Sequence, residues 1–278
     1  MSEAFRAGGY EIGDKKETRP SPGEEEGDLA YGSYLRVPEL LSLQNPLSRP
    51  KAHDELLFIV VHQSFELWFK LILFELETAR DELFAGRPFS ARHYLERVQA
   101  IERMLVEHLS IIESMSPQDF LEFRDLLSPA SGFQSVQFRE IEFLSGLKEP
   151  GLLERLAETK EERARLERRL GEPTLWDAFC ALMERSGMPM PPDEEEVRRK
   201  SLLEMMRSKD THPEIFYAAE SLLTHDELFR QWRLHHVVMV ERQIGSKTGT
   251  GGSAGVAYLR STLDKRFYPE LWDLRGYL

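Results

Sequence analysis

The side chains with the clearest capacity for chemistry in this sequence are a histidine doublet and one isolated histidine. The doublet, His235 and His236, lies in the run WRLHHVVMVERQIG at 232–245. On a helix two neighbours point about 100° apart, so both cannot hold one ligand. His236 shares its face with Phe229, Trp232 and Val240, and His235 shares its own with Leu228, Gln231, Met239 and Arg242. The drier, aromatic face therefore belongs to His236. A neutral imidazole there can be the axial ligand of a haem iron. It can equally be a hydrogen-bonded residue of the core, and spacing alone does not choose between the two. The isolated imidazole, His62, falls in a stripe with Phe58, Phe65 and Phe69. Arg124 stands one turn after Phe120 on an apolar face. A guanidinium in that setting needs an anion, either a protein carboxylate or a substrate carboxylate gripped by two parallel hydrogen bonds. The stretch SKTGTGGSAG at 246–255 is the most glycine-rich of the chain. It reads either as a connector or as a mobile loop that folds over a ligand, with Thr250 as a hydrogen-bond partner.

Other chemistries find little support. The eight histidines are scattered, with neither HExxH nor CxxC spacing for zinc. The single cysteine, Cys180, sits in a plain amphipathic segment, and no serine occupies a GxSxG elbow. The glycine stretch lacks the Lys-Ser/Thr ending of a phosphate loop.

Two long helices must position these groups. From Asp54 to about Leu83 there is neither Pro nor Gly, and apolar residues occupy more than one face. That pattern describes a rod roughly 45 Å long through the middle of a fold. Glu66, Lys70 and Glu75 interrupt it, which argues against a membrane span. Ser90 is expected to cap a second helix reaching about Ser114. Ser116-Pro117-Gln118-Asp119 carries the marks of a third helix start, and that helix would bear Phe120, Phe123, Arg124 and Asp125. A fourth is expected from about Gln134 to Leu144. Residues 151–170, dense in Glu and Arg, read as a solvated helix or hairpin. Shorter helices are expected at Val37–Leu43, Trp176–Met183, Glu195–Met206 and Pro213–Leu223. The capping box Thr224…Glu227 predicts a separate strong helix over Asp226–Ile244, closed by Gly245. A last helix is expected from about Val256 to Lys265. No stretch reads as a strand.

The chain has 278 residues, 41% of them hydrophobic, with a net charge of −12. Size and composition suit one large all-α domain over 29–278, preceded by a disordered acidic tail over 1–28. The negative balance argues against nucleic-acid binding. One cysteine and no apolar leader favour a reducing, cytoplasmic setting.

Five segments, in order, resemble the tryptophan 2,3-dioxygenase family: LAYGSYL (29–35), HDELLFIVVHQSFELW (53–68), FLEFRDLLSPASGFQSVQFREIEFLSG (120–146), the doublet helix (232–245) and GTGGSAGVAYL (249–259). The resemblance implies an all-helical, haem b-binding homotetramer that converts L-tryptophan and O2 to N-formyl-L-kynurenine. It implies that His236 is the proximal haem ligand and that His62 hydrogen-bonds the indole nitrogen. It further implies that Arg124 clamps the substrate carboxylate, Thr250 holds the ammonium end, and Phe58 and Phe120 wall the indole. Ser131 would belong to the haem pocket. Tyr31, Tyr34 and Leu35 would reach a neighbouring subunit's pocket. Phe120 stands where some members have Tyr, and Ala254 where a second Ser often follows GTGG. Rival readings are a haem protein oxidising another indole and a haem sensor without a carboxylate clamp.

Overall fold

The computed structural model of the chain describes residues 30–153, 159–207 and 209–278. The expected tail over 1–28 lies outside the described residues. Among the described residues there is no strand, and seven helices have ten residues or more. They are α1 (Glu55–Phe84), α2 (Pro88–Glu113), α3 (Val136–Ser145), α4 (Lys160–Gly171), α5 (Leu175–Arg185), α6 (Glu195–Arg207) and α7 (Pro213–Ile244). The all-α expectation holds.

Helices α1, α2 and α7 form the frame. The chain reverses between α1 and α2 at Gly86, whose φ of +73° suits a residue without a side chain. Helix α2 starts at Pro88, two residues before the expected Ser90 cap. Proline's fixed φ suits the first helical position, where its missing N–H is no loss. The three rods pack through side chains with no exposed surface, among them Leu73, Leu76, Leu83, Leu95, Val98 and Leu222. Full burial of such a side chain contributes about 2 kcal/mol each.

Helix α1 has the length and mean hydropathy, 1.6 over its most apolar window, to cross a membrane. In the fold its second half, from Phe69 to Leu83, belongs to the core of the bundle. Its first half lines a cavity on one side and leaves Leu56, Val60 and Leu67 exposed on the other.

Four sequence expectations need correction. The first is the helix break before Asp226: α7 is one continuous helix of 32 residues. Thr224 Oγ1 donates to the Glu220 carbonyl at 2.9 Å and caps nothing. Asp226 is fully buried, and its Oδ2 accepts from Phe267 N at 2.9 Å, Tyr268 N at 3.1 Å and Trp272 Nε1 at 2.9 Å. The acid that resembled a first-turn charge ties the C-terminal segment to the frame. The second concerns the helix begun by Ser116, whose Oγ does accept from Asp119 N at 3.1 Å. That helix ends at Leu121, and Arg124–Leu127 form a separate 3₁₀ turn. The third concerns α4, which is solvated on one face only. Its Arg169 is 1% exposed and pairs with Glu77, with Glu140 at 3.3 Å and with Glu172 at 2.9 Å. A buried guanidinium is tolerable only with such partners. The fourth concerns the last helix, which covers Val256–Arg260 and gives way to turns five residues early.

Candidate active site

Helices α1, α2, α3 and α7 enclose a cavity of about 260 Å³, closed at one rim by two loops, 128–132 and 248–255. His62, Phe58, Phe120, Arg124, Ser131, His236 and Thr250 all line it. Phe58 and Thr250, far apart in sequence, therefore line one site.

On the α1 wall, His62 Nδ1 lies 2.7 Å from the Phe58 carbonyl. A carbonyl can only accept, so Nδ1 carries the proton and Nε2 keeps a free lone pair. The imidazole lies against the Phe58 ring, with centroids 4.0 Å apart and planes tilted by 33°. Burial pushes its pKa below the ordinary histidine value, opposed by the Phe58 carbonyl and by the charge of Glu66. His62 is a neutral hydrogen-bond acceptor at neutral pH.

On the α7 wall, the His236 ring lies parallel to Trp232, with centroids 4.9 Å apart and planes at 11°. Burial, with a smaller contribution from His62, lowers its pKa to about 4. The residue lines the cavity. A neutral imidazole is the protonation state that metal ligation requires. The face argument for His236 holds, since Trp232 and Val240 line the cavity beside it. Met239, grouped by sequence with His235, is 7% exposed and also lines the cavity, so the buried face of α7 is wider than a single stripe.

Aromatic rings make up the walls. Phe58 and Phe120 stack with centroids 5.8 Å apart, and Phe65 and Phe138 meet Trp232 at 6.0 and 5.2 Å. The rim is polar. Arg124 Nη2 donates to the Thr248 carbonyl at 2.5 Å, and the carboxylate paired with Nη1 is the exposed Asp125 at 3.4 Å. Its Nε is buried without a partner. Thr250 Oγ1 donates to the Ala130 carbonyl at 2.7 Å, and Ser128 Oγ donates to the Thr250 carbonyl at 3.3 Å. The glycine stretch is thus docked onto the 128–132 loop, not a free connector. The close approach requires glycine at 251, where a Cβ would come within 2.7 Å of Ser131 Cβ.

The cavity also contains a group that sequence reasoning missed. Glu142 accepts from Arg139 Nη1 and from Arg233 Nη2, each at 2.7 Å. All three side chains are buried, and the group of three carries a net positive charge. Arg139 Nε and Trp232 Nε1 are buried donors without partners. The step from Arg139 to Glu142 is one helical turn, but Arg233 comes from 91 residues away.

Tyr31, Tyr34 and Leu35 are not brought to this cavity. They are 79%, 71% and 45% exposed, on and just after a four-residue helix.

Among the described residues no three His, Cys, Asp or Glu side chains cluster to hold a metal ion. A metal at His236 would therefore have to bring most of its ligands with it, as a porphyrin iron does. The residues fit that group: a neutral imidazole, aromatic walls, and two unpaired donors, Arg139 Nε and Trp232 Nε1, suited to its carboxylates.

A family profile described as Tryptophan 2,3-dioxygenase matches residues 15–179 and 195–278. Three curated proteins named tryptophan 2,3-dioxygenase are similar over almost their full lengths. The one from Nocardioides sp. is 52% identical over 261 residues, covering 92% of this chain and 97% of its own. The one from Herpetosiphon aurantiacus is 44% identical, covering 89% and 98%. The one from Serratia proteamaculans is 40% identical, covering 89% and 92%.

Proposed function

The chain belongs to the tryptophan 2,3-dioxygenase family, and from that premise we propose that it inserts both atoms of O2 across the pyrrole double bond of L-tryptophan, giving N-formyl-L-kynurenine. The observation that carries the reading is the pairing of two neutral imidazoles, on α1 and α7, across one aromatic cavity with a cationic rim. The cofactor is haem b, one per subunit. When bound, it supplies the activation of dioxygen.

The protein's own residues do the rest. His236 would hold the iron. The unpaired donors Arg139 Nε and Trp232 Nε1 would be available to its carboxylates, and Ser131 would line the pocket. Arg124 receives the substrate carboxylate, whose charge displaces the neutral Thr248 carbonyl as the better acceptor. Thr250, on the same docked loop, serves the ammonium end. Phe58 and Phe120 flank the indole. His62 Nε2 accepts the indole N–H, which fixes the ring's orientation without requiring removal of that proton. Phe120 has no hydroxyl, so the carboxylate rests on Arg124 without a phenolic hydrogen bond. Holding both ends of the amino acid fixes the indole for reaction, an effect that can be worth several kcal/mol. The docked 248–255 loop keeps water from the ring.

The exposed apolar residues Leu56, Val60 and Leu67 on α1 and Leu234 and Val238 on α7 support assembly of this single domain as a homotetramer. The exposed Tyr31, Tyr34 and Leu35 would then complete a neighbouring subunit's pocket. The single free cysteine and acidic surface suit the cytoplasm.

The test is product identity. Haem-loaded, reduced protein given L-tryptophan and ¹⁸O2 should yield a product that keeps every carbon and gains two labelled oxygens. Loss of carbon, or a single labelled oxygen, would replace this reading with that of another indole-oxidising haem protein.

A further inference from the structure

The mechanism leaves one cavity-lining carboxylate unused. Glu66 lies one helical turn beyond His62 on α1, on the same face, and lines the cavity. Gln137 Nε2 on α3 holds it, donating at 2.8 Å both to Glu66 Oε2 and to the Glu66 backbone carbonyl. Glu66 makes no ion pair among the described residues. The Glu66 side chain is half-buried, and Gln137 is the hydrogen-bond partner of its carboxylate. If its purpose were only to knit α1 to α3, a glutamine would accept the same hydrogen bond from Gln137 at no electrostatic cost. The charge therefore has work that the hydrogen bond does not explain.

The group within its reach is the His62 imidazole. Nδ1–H already points at the Phe58 carbonyl, which leaves Nε2 as the only free nitrogen. A fixed negative charge one turn away raises electron density at that lone pair, and an apolar cavity screens the effect weakly. The Glu66 charge also works against the desolvation that lowers the His62 pKa, consistent with that coupling.

We propose that Glu66, fixed by Gln137, is a positioning and specificity-determining residue that strengthens His62 Nε2 as acceptor of the indole N–H, so that the site favours indoles bearing a free N–H over N-alkylated ones. The proposal rests on the functional reading above. Because Glu66 acts only through His62, its effect on L-tryptophan must vanish when His62 is removed, which a direct contact between Glu66 and the indole N–H would not do.

The experiment compares L-tryptophan with 1-methyl-L-tryptophan, which lacks the N–H, on haem-loaded wild type and Glu66→Gln. Binding is measured by calorimetry, and kcat and KM are measured separately. The substitution should weaken L-tryptophan binding and lower its kcat/KM about fivefold, the scale of one strengthened hydrogen bond, while 1-methyl-L-tryptophan binding changes less than about twofold. Glu66→Asp, which keeps the charge, should restore most of the loss. In a His62→Ala background Glu66→Gln should have no further effect on L-tryptophan. Equal losses for both ligands would mean a structural role only and would overturn the proposal, as would wild-type behaviour of Glu66→Gln or full additivity with His62→Ala. Should Glu66→Gln fail to fold, Gln137→Leu frees the carboxylate and must show the same ligand dependence in weaker form. If wild type forms no N-formyl-L-kynurenine, the functional reading fails. The calorimetric comparison still decides on Glu66.

Discussion

The docked glycine loop makes a sharp prediction at Gly251. A Cβ added there would lie 2.7 Å from Ser131 Cβ, 3.3 Å from Ser131 Oγ and 3.4 Å from the Pro129 carbonyl. Carbon atoms in contact prefer about 3.5–4.0 Å, so Gly251→Ala must push the loop away by about 1 Å. The loop carries Thr250 and packs against Arg124 through the Thr248 carbonyl. A misplacement of that size in a positioning element costs about 100-fold in rate, or about 2.7 kcal/mol of barrier. The assay is steady-state kcat/KM for L-tryptophan, with haem content measured alongside. Gly251→Ala should fall about 100-fold while retaining haem. The contact also predicts its own rescue. Ser131→Gly removes the offending Cβ, leaving the 3.4 Å contact with Pro129. Alone, Ser131→Gly loses the oxygen that accepts from Phe133 N at 3.3 Å, a capping bond worth about 1 kcal/mol. The double variant should nonetheless exceed Gly251→Ala by about tenfold. A Gly251→Ala enzyme with wild-type kcat/KM would refute the reasoning, as would a double variant no better than the single one.

Two further outcomes are expected. Arg124→Ala should keep haem and lose about 100- to 1,000-fold in kcat/KM for L-tryptophan, the worth of a charged double hydrogen bond; an unchanged KM would remove Arg124 from the site. The haem-free protein should lose stability on acidification between pH 6.5 and about 4. There the unfolded chain binds a proton at position 236 that the folded chain excludes, so stability rises with pH across that window. The fall from 6.5 to about 4 corresponds to about 3 kcal/mol at most. Denaturant unfolding at pH 7 and 4.5 should show a smaller drop for His236→Leu than for wild type, and equal drops would contradict the neutral buried imidazole.

What the sequence revealed was local or periodic. Helical spacing alone put Trp232 beside His236 and Phe58 beside His62, and both pairs are in ring contact in the structure, the first stacked and the second tilted. Ser116 read as a cap because a cap is a three-residue event, and its Oγ does accept from Asp119 N. Thr224 misled for the same reason: a capping box describes what a free segment prefers, and it says nothing of Phe267, Tyr268 and Trp272 converging on Asp226 from the far end of the chain. The Arg139–Glu142–Arg233 group was illegible because its third member joins across 91 residues. Arg169 looked solvated for the same reason, its partners Glu77 and Glu140 lying on other helices. Long-range ion pairs invert the usual rule that charge means surface. They leave no periodic trace by which one sequence could show it.

The central claim is that a neutral His236 imidazole holds an iron porphyrin in the cavity between α1 and α7. Titration of the haem-free protein with haem, followed by the Soret band, tests it most directly. Wild type should bind one haem per chain. His236→Gly should bind weakly and regain a wild-type spectrum when free imidazole is added to fill the space. Stoichiometric, tight binding with an unaltered spectrum in His236→Gly without imidazole would contradict the account.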